Sequence, residues 1–398
     1  MTPRAVWITG IGAVSAAGIG ATALGDMLVD ARSGVRPLPE LGCVHGGRAG
    51  TPDRHAASRH LDRSARLFLA AGEEAWLDSG LDQGRLNSTR YAVFEGSSLG
   101  PLADLLTEHE QRRRSPAAAR PSRLIRYMTG AGGAALAQLH DVRGPVLHLS
   151  AGSVSAACAI GEAFQKIALG LLDVVVAGGA ECPLHPEIID SFRSAGVLSE
   201  SDPAVCACRP FDRWRNGTVL GEGAGVIVLE AAEHAMARRR HPRAVVHGFG
   251  MSSESYSMTA PDPRGTGVSD AAREALGAMP PSQIGWIKTH GTGTRLNDAA
   301  ECRGLARLYG ATLPGTPLTS LKPAIGHCLG ASAGVELVGT VEALERGLVP
   351  PTLGCEQPDP DLPPHSVATK THPANGSSVL LLAESFGGRC TALVLSKP

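Results

Sequence analysis

The sequence predicts two similar α/β halves, residues 1–240 and 241–398. Three observations predict this class. Apolar strand-like runs alternate with helix-like stretches, and the alternation starts afresh near residue 244. The 49 glycines and 28 prolines supply the tight turns that such alternation needs. No long linker separates the two halves.

The bulk numbers narrow the class further. A chain of 398 residues can bury a large core, and 43% hydrophobic with 19% charged residues is the balance of a soluble globular protein. A net charge of −1 provides no overall field for nucleic acid. No apolar run is long enough to span a bilayer, so no membrane partner is expected. A strand at residues 6–10 follows the N-terminus at once, which reads as the absence of a signal peptide and a cytoplasmic protein. The nine cysteines lack metal-ligand spacing; Cys206-Ala-Cys208 is the one close pair and reads as reduced thiols. Neither a metal nor a cofactor is expected.

In chain order, residues 4–15 give a strand and a Gly-rich turn, Thr9-Gly-Ile-Gly-Ala-Val-Ser15, without a full G-x-G-x-x-G. Residues 20–31 suit a helix, and 34–54 are irregular. Residues 60–80 have helical periodicity, with Leu67, Ala70, Ala71, Glu74 and Leu77 at three- and four-residue spacing. A strand at 91–94 ends in Glu95-Gly-Ser-Ser98. Residues 110–126 carry Arg112, Arg113, Arg114, Arg120, Arg123 and Arg126, either a solvated face or a dock for an acidic partner. Strand 144–149, turn 150–155, a small-residue helix at 156–172 and a buried strand at 173–181 follow. A loop at 209–217 leads into Gly221-Glu-Gly-Ala-Gly225, a strand at 226–230 and a helix at 231–239. The second half runs strand 244–249, helix 268–277, strand 284–290, helix 299–308, the Ser320-Leu-Lys322 turn and helix 330–346. Two strands, 378–383 and 391–395, close the chain around Glu384-Ser-Phe-Gly-Gly388.

Three strand ends carry chemistry. The first is Ser150-Ala-Gly-Ser153-Val-Ser155, a strand-to-helix turn whose outward N–H groups favour an anion or a developing oxyanion. The second is His290-Gly-Thr-Gly-Thr294, and the third is Ser320-x-Lys322-x-x-x-Gly-His327. A histidine alone is more often a satisfied core residue. Two at Gly-rich turns, in a set with Lys322 and Glu301 whose spacing matches the family that the chain resembles, point to a site.

This set resembles the β-ketoacyl-acyl-carrier-protein synthases of fatty acid and type II polyketide synthesis. The resemblance runs in order along essentially the whole chain, through Val6-Trp-Ile-Thr-Gly-Ile-Gly12, Gly178-Gly-Ala-Glu181, Gly221–Gly225, Met258-Thr-Ala-Pro261, the two histidine motifs and Phe386-Gly-Gly388. It implies a thiolase-like five-layer αβαβα sandwich, a dimer, and acyl carrier protein as partner. It implies catalytic roles for Ser153, His290, His327 and Lys322, with Glu301 as the carboxylate partner of the lysine. Phe386 matches the gating phenylalanine, whose N–H would join that of Ser153 in an oxyanion hole.

The family has cysteine at the turn, and here the register gives serine. Cys158, in Ala157-Cys-Ala-Ile-Gly161, mimics the family string locally, but Ser153 keeps its spacing to Pro145 and Gly178 without a gap. Gly152 stands where alanine is usual, Ser385 where the family has glycine, and Glu384 where it has phenylalanine. A serine hydroxyl needs a base within hydrogen-bond reach, and its ester is a poorer acyl donor to a carbanion than a thioester. Two readings follow from the resemblance. One is an acyltransferase with Ser153 as acyl acceptor. The other is a catalytically silent, chain-length-factor-like subunit paired with a cysteine ketosynthase, so that the dimer is either homo- or heteromeric. Arg112, Arg113, Arg120, Arg123 and Arg126 are the candidate carrier-protein dock.

Overall fold

The apolar runs become strands of two half-sheets with the same internal topology, hydrogen-bonded into one continuous sheet. A computed structural model describes residues 3–42, 44–53, 56–81, 88–115, 121–201 and 207–398. In the first half, β1 is Val6–Ser15, β2 Tyr91–Gly96, β3 Val146–Leu149, β4 Val174–Glu181 and β5 Gly223–Ala231. In the second, β6 is Ala244–Ser253, β7 Trp286–Lys288, β8 Pro317–Thr319, β9 Ser378–Ser385 and β10 Arg389–Ser396. The strand orders are β3-β2-β4-β5-β1 and β8-β7-β9-β10-β6. In each half the three outer strands are parallel and the two inner ones join antiparallel. The halves meet where Val6, Trp7 and Ile8 of β1 pair with Val246, Val245 and Ala244 of β6.

The repeat extends to side chains. Gly10 and Gly12 of β1 lie against the Arg63–Ser79 helix so closely that a Cβ on either would come 2.1 Å from a carbonyl oxygen, of Ala75 or Ala71. Gly248 and Gly250 of β6 stand in the same relation to Ala275 and Ala271 of the Thr266–Leu276 helix. Glu74 accepts from the Ala13 N–H and Glu274 from the Met251 N–H, each at 2.9 Å. The residues expected as a Gly-rich turn at 9–15 are therefore strand, and their glycines admit a helix. The same contact sets the face of the Arg63–Ser79 helix. Leu67 and Ala71 are buried as the periodicity requires, whereas Leu77 points away from β1 and is 75% exposed. Asp62 caps this helix by accepting from Ser64 and Ala65, and Gly80, at φ 66°, ends it.

Two helices lie between the half-sheets. In Ser332–Arg346 every residue from Ser332 to Leu344 is buried, the mark of a helix covered all round. Ser155–Ala168 packs beside it, against β4 and β2 of one half-sheet and β6 and β10 of the other. Outside lie Arg63–Ser79 over the first half-sheet, and Thr266–Leu276 with Arg295–Tyr309 over the second. The result is a thiolase-like αβαβα arrangement. No helix among the described residues is long and apolar enough to cross a membrane.

Candidate active site

The turn after β3 feeds the first residue of a central helix, and its own hydroxyls shape it. Ser155 Oγ accepts from the Ala151 N–H at 2.9 Å and donates to the Gly152 carbonyl at 2.6 Å. Gly152 takes φ +65°, a conformation that costs glycine nothing. Ser153 is thereby lifted off the helix, half-buried, with its Oγ 3.2 Å from His327 Nε2.

His327 is held from both sides. Its N–H donates to the Val219 carbonyl at 2.7 Å, and its carbonyl accepts from the Gly221 N–H at 2.9 Å. Its Nδ1 lies 2.8 Å from Ser332 Oγ. Glu181, the acid of Gly178-Gly-Ala-Glu181, supports this loop from below. It accepts from the Gly330 N–H at 3.1 Å, the Ser98 N–H at 2.6 Å and Ser97 Oγ at 3.0 Å.

The His327 ring meets that of His290 edge-on, with centroids 5.4 Å apart. Lys322 Nζ is 3.3 Å from His290 Nδ1 and donates to the His290 carbonyl at 2.5 Å. An ammonium has no acceptor, so Nδ1 accepts and the proton of a neutral His290 sits on Nε2. Ser320 joins the two loops by donating to the Gly291 carbonyl at 2.7 Å. Ser153, His327, His290 and Lys322 thus form one connected chain of contacts.

Glu301 takes a different place from the one the resemblance implied. Its two oxygens accept from the N–H groups of His290 at 2.5 Å and Gly291 at 2.8 Å. The carboxylate on Lys322 is Glu336, at 2.7 Å, whose other oxygen holds Lys288 at 2.5 Å. Lys288 also donates to the Leu382 carbonyl at 2.7 Å. These three side chains are at most 1% exposed. Sequence reasoning missed Glu336, Lys288 and Ser332. A lone charge in the apolar string Val335-Glu-Leu-Val338 was the available signal, because a buried carboxylate requires a cation.

The electrostatics follow from burial and these cations. Burial drives both His290 and His327 well below the ordinary imidazole value, and Lys322 and Lys288 add to it. Both rings are therefore neutral at neutral pH. Burial works to raise Glu336, but the two ammonium groups overcome it and hold the acid below its ordinary value. Burial pushes Glu301 up to about 7 despite its two backbone bonds.

Cys158 lies one turn inside the helix, 8% exposed, and burial raises its thiol to about 11. It has neither the outward position nor the thiolate character of a nucleophile.

The closing β9–β10 hairpin reaches the same turn. Ser385 Oγ accepts from the Ser153 N–H at 2.9 Å, so that donor is already engaged. Phe386 is 46% exposed, and its turn is tied down by the Gly387 N–H donating to the Met258 carbonyl at 2.9 Å. Glu384 is buried with its Oε1 unpartnered, and burial beside Glu301, Glu254 and Asp298 pushes its carboxyl well above the ordinary value.

The arginine stretch divides. Arg112 and Arg113 are exposed at the end of the Leu102–Arg114 helix, and Arg120 lies outside the described residues. Arg123 pairs with Glu108 at 2.5 Å. With Arg126 it lines a cleft of about 570 Å³ that Arg59, His60 and Arg66 also border.

Fold and site define a thiolase-like architecture of the ketosynthase type, with Ser153 at the turn between β3 and the Ser155–Ala168 helix. Residues 3–235 match the family model for the β-ketoacyl synthase N-terminal domain, and residues 243–356 match that for the C-terminal domain. The chain belongs to the β-ketoacyl synthase family. It is 32% identical over 427 residues to the tetracenomycin polyketide synthase ketoacyl synthase alpha subunit of Streptomyces glaucescens, covering 99% of this chain and 97% of that one. It is 34% identical over 411 residues to 3-oxoacyl-[acyl-carrier-protein] synthase 2 of Vibrio cholerae, covering 97% of each. A solved type II polyketide ketosynthase in complex with its acyl-carrier protein, AntDE:AntF, superposes with TM-score 0.90 at 26% identity over 100% of both chains. The ishigamide ketosynthase/chain length factor superposes with TM-score 0.89 at 28% identity over 100% of both.

Proposed function

We propose that this protein handles acyl chains delivered by acyl carrier protein in fatty acid or type II polyketide synthesis, with Ser153 as acyl acceptor. The observation that carries the reading is the 3.2 Å contact between Ser153 Oγ and a neutral His327. With its proton on Nδ1 and donated to Ser332, His327 presents a free Nε2 lone pair to the hydroxyl. Ser153 Oγ attacks the thioester carbonyl as its proton passes to Nε2. Collapse of the tetrahedral species expels the carrier thiolate, which recovers that proton and leaves as the thiol. The His290 Nε2–H serves as donor to an oxyanion or enolate, and Lys322, neutralised by Glu336, fixes the ring that carries it. The family relationship and the solved carrier complex of a similar ketosynthase support carrier protein as donor. Arg59, Arg66, Arg123 and Arg126 form the dock for its acidic surface.

Because the product is an oxygen ester, transfer to water or another hydroxyl outruns condensation with a carbanion. Intact-mass measurement after incubation with an acyl-carrier protein should show one acyl adduct on the wild type and none on Ser153→Ala. His327→Ala should slow its formation about 100-fold or more. Absence of an adduct at high enzyme would overturn the reading.

One observation favours a second reading, a chain-length-factor-like partner. The Ser153 N–H, which acyl transfer needs, is occupied by Ser385. The ishigamide ketosynthase/chain length factor is a structural relative. Val146 and Leu147 on the edge strand β3 are 40% and 39% exposed, and Leu124, Ile125 and Met128 are exposed as well, a surface suited to a second chain. Mixing with a cysteine-bearing paralogue separates the readings. A stable homodimer that ignores the paralogue excludes the silent subunit.

A further inference from the structure

Two small residues meet at the turn that carries Ser153, Gly152 from the turn itself and Ser385 from the end of β9. A Cβ on Gly152 would lie 2.1 Å from Ser385 Oγ, so a side chain at 152 would push that hydroxyl out of its present position. Strand alternation sets where that hydroxyl goes. Ser385 ends β9 on the face of Ala383, which packs with Val154 and Ala333 beneath the turn. Its Oγ therefore arrives at the Ser153 N–H, 2.9 Å away.

An acyl group on residue 153 needs that N–H for its carbonyl oxygen, because the nucleophile's own amide is the donor nearest to the developing oxyanion. The hydroxyl and the oxyanion compete for one hydrogen. We infer that Ser385, given room by Gly152, is a positioning residue that plugs the oxyanion donor at Ser153, and that its hydroxyl must rotate away before residue 153 can be acylated. Rotation about one side-chain bond suffices and leaves the backbone of β9 in place. The plug slows acylation by every donor and favours donors whose bound chain displaces the hydroxyl. In form it is an autoinhibitory contact built from one hydroxyl and the space a glycine leaves for it.

This inference rests on residue 153 being an acyl acceptor, and a thiol background separates the two claims. Ser153→Cys and the double variant Ser153→Cys/Ser385→Ala are each treated with butyryl-N-acetylcysteamine, and thioester formation is followed by intact mass. Both are also treated with iodoacetamide, whose displacement at carbon forms no oxyanion. Loss of one competing neutral hydrogen bond should accelerate acylation about three- to tenfold. Alkylation should be unchanged. Equal or slower acylation in the double variant overturns the plug. So does an equal rise in alkylation, which would mean simple access, and so does failure of either thiol to acylate. Whether wild-type Ser153 itself is acylated is read separately and bears only on the proposed function.

Discussion

Glu336→Gln tests the electrostatic base of the site. Glu336 holds Lys322 at 2.7 Å and Lys288 at 2.5 Å, and none of the three is more than 1% exposed. The amide keeps the shape but removes the charge, and its NH2 then faces one of two ammonium groups that can only donate. Breaking a buried ion pair by removing one partner costs about 3–5 kcal/mol. For 398 residues the unfolding entropy is about 0.8 kcal/mol/K at the midpoint. The melting temperature should therefore fall by about 4–6 °C in differential scanning calorimetry. The loss should shrink as pH rises, because an unpaired buried lysine sheds its proton more easily than a paired one; burial already lowers Lys288 against the pull of Glu336. A drop of less than about 1 °C, or a loss that grows with pH, would refute the reasoning.

Three further outcomes follow from individual side chains. Glu384→Gln should gain stability over wild type as pH rises above the ordinary carboxylate range, since burial raises the native carboxyl and the wild type alone must resist ionising it; a denaturant midpoint difference that stays flat with pH contradicts this. Cys158 should resist iodoacetamide in the folded protein at pH 7.5, because its thiol sits near 11 and is 8% exposed; rapid labelling at that residue would reopen it as a nucleophile. Reversing Arg123 and Arg126 to Glu should weaken carrier-protein binding and flatten its salt dependence, while small-thioester acylation of Ser153 is unchanged; unchanged carrier affinity in a titration would remove the cleft as the dock.

What the sequence revealed, and what it hid, has a physical pattern. Ser153, His290, Lys322 and His327 stood out as a group because each lies in or beside a turn, and the structure brings their side chains into contact. The two-half fold was legible from alternation, but its sharpest sign was not read: Gly10 and Gly12 in β1 repeat as Gly248 and Gly250 in β6, each pair seating a helix backbone. The resemblance made Glu301 the partner of the lysine, yet it lies under the amides of His290 and Gly291, and helix Ser332–Arg346 brings Glu336 to Lys322 instead. Spacing along a chain identifies a neighbour only within one element; the lysine and its carboxylate belong to elements joined by tertiary packing. Leu77 fits a helical stripe and is exposed because the glycines of β1, not the leucines, fix which face is down. The meeting of Ser385 with Gly152 joins positions more than two hundred residues apart and follows only from the three-dimensional arrangement.

The most direct measurement is localisation of the acyl group. Wild-type protein is charged with a cognate acyl-carrier protein, quenched within a turnover and digested, and the modified peptide is sequenced by mass spectrometry. The mass gain is expected on Ser153, with none on Ser155, Cys158 or Ser385. An unmodified wild type beside a Ser153→Cys variant that is acylated would contradict the central claim, leaving the oxygen at 153 inert in an otherwise competent site.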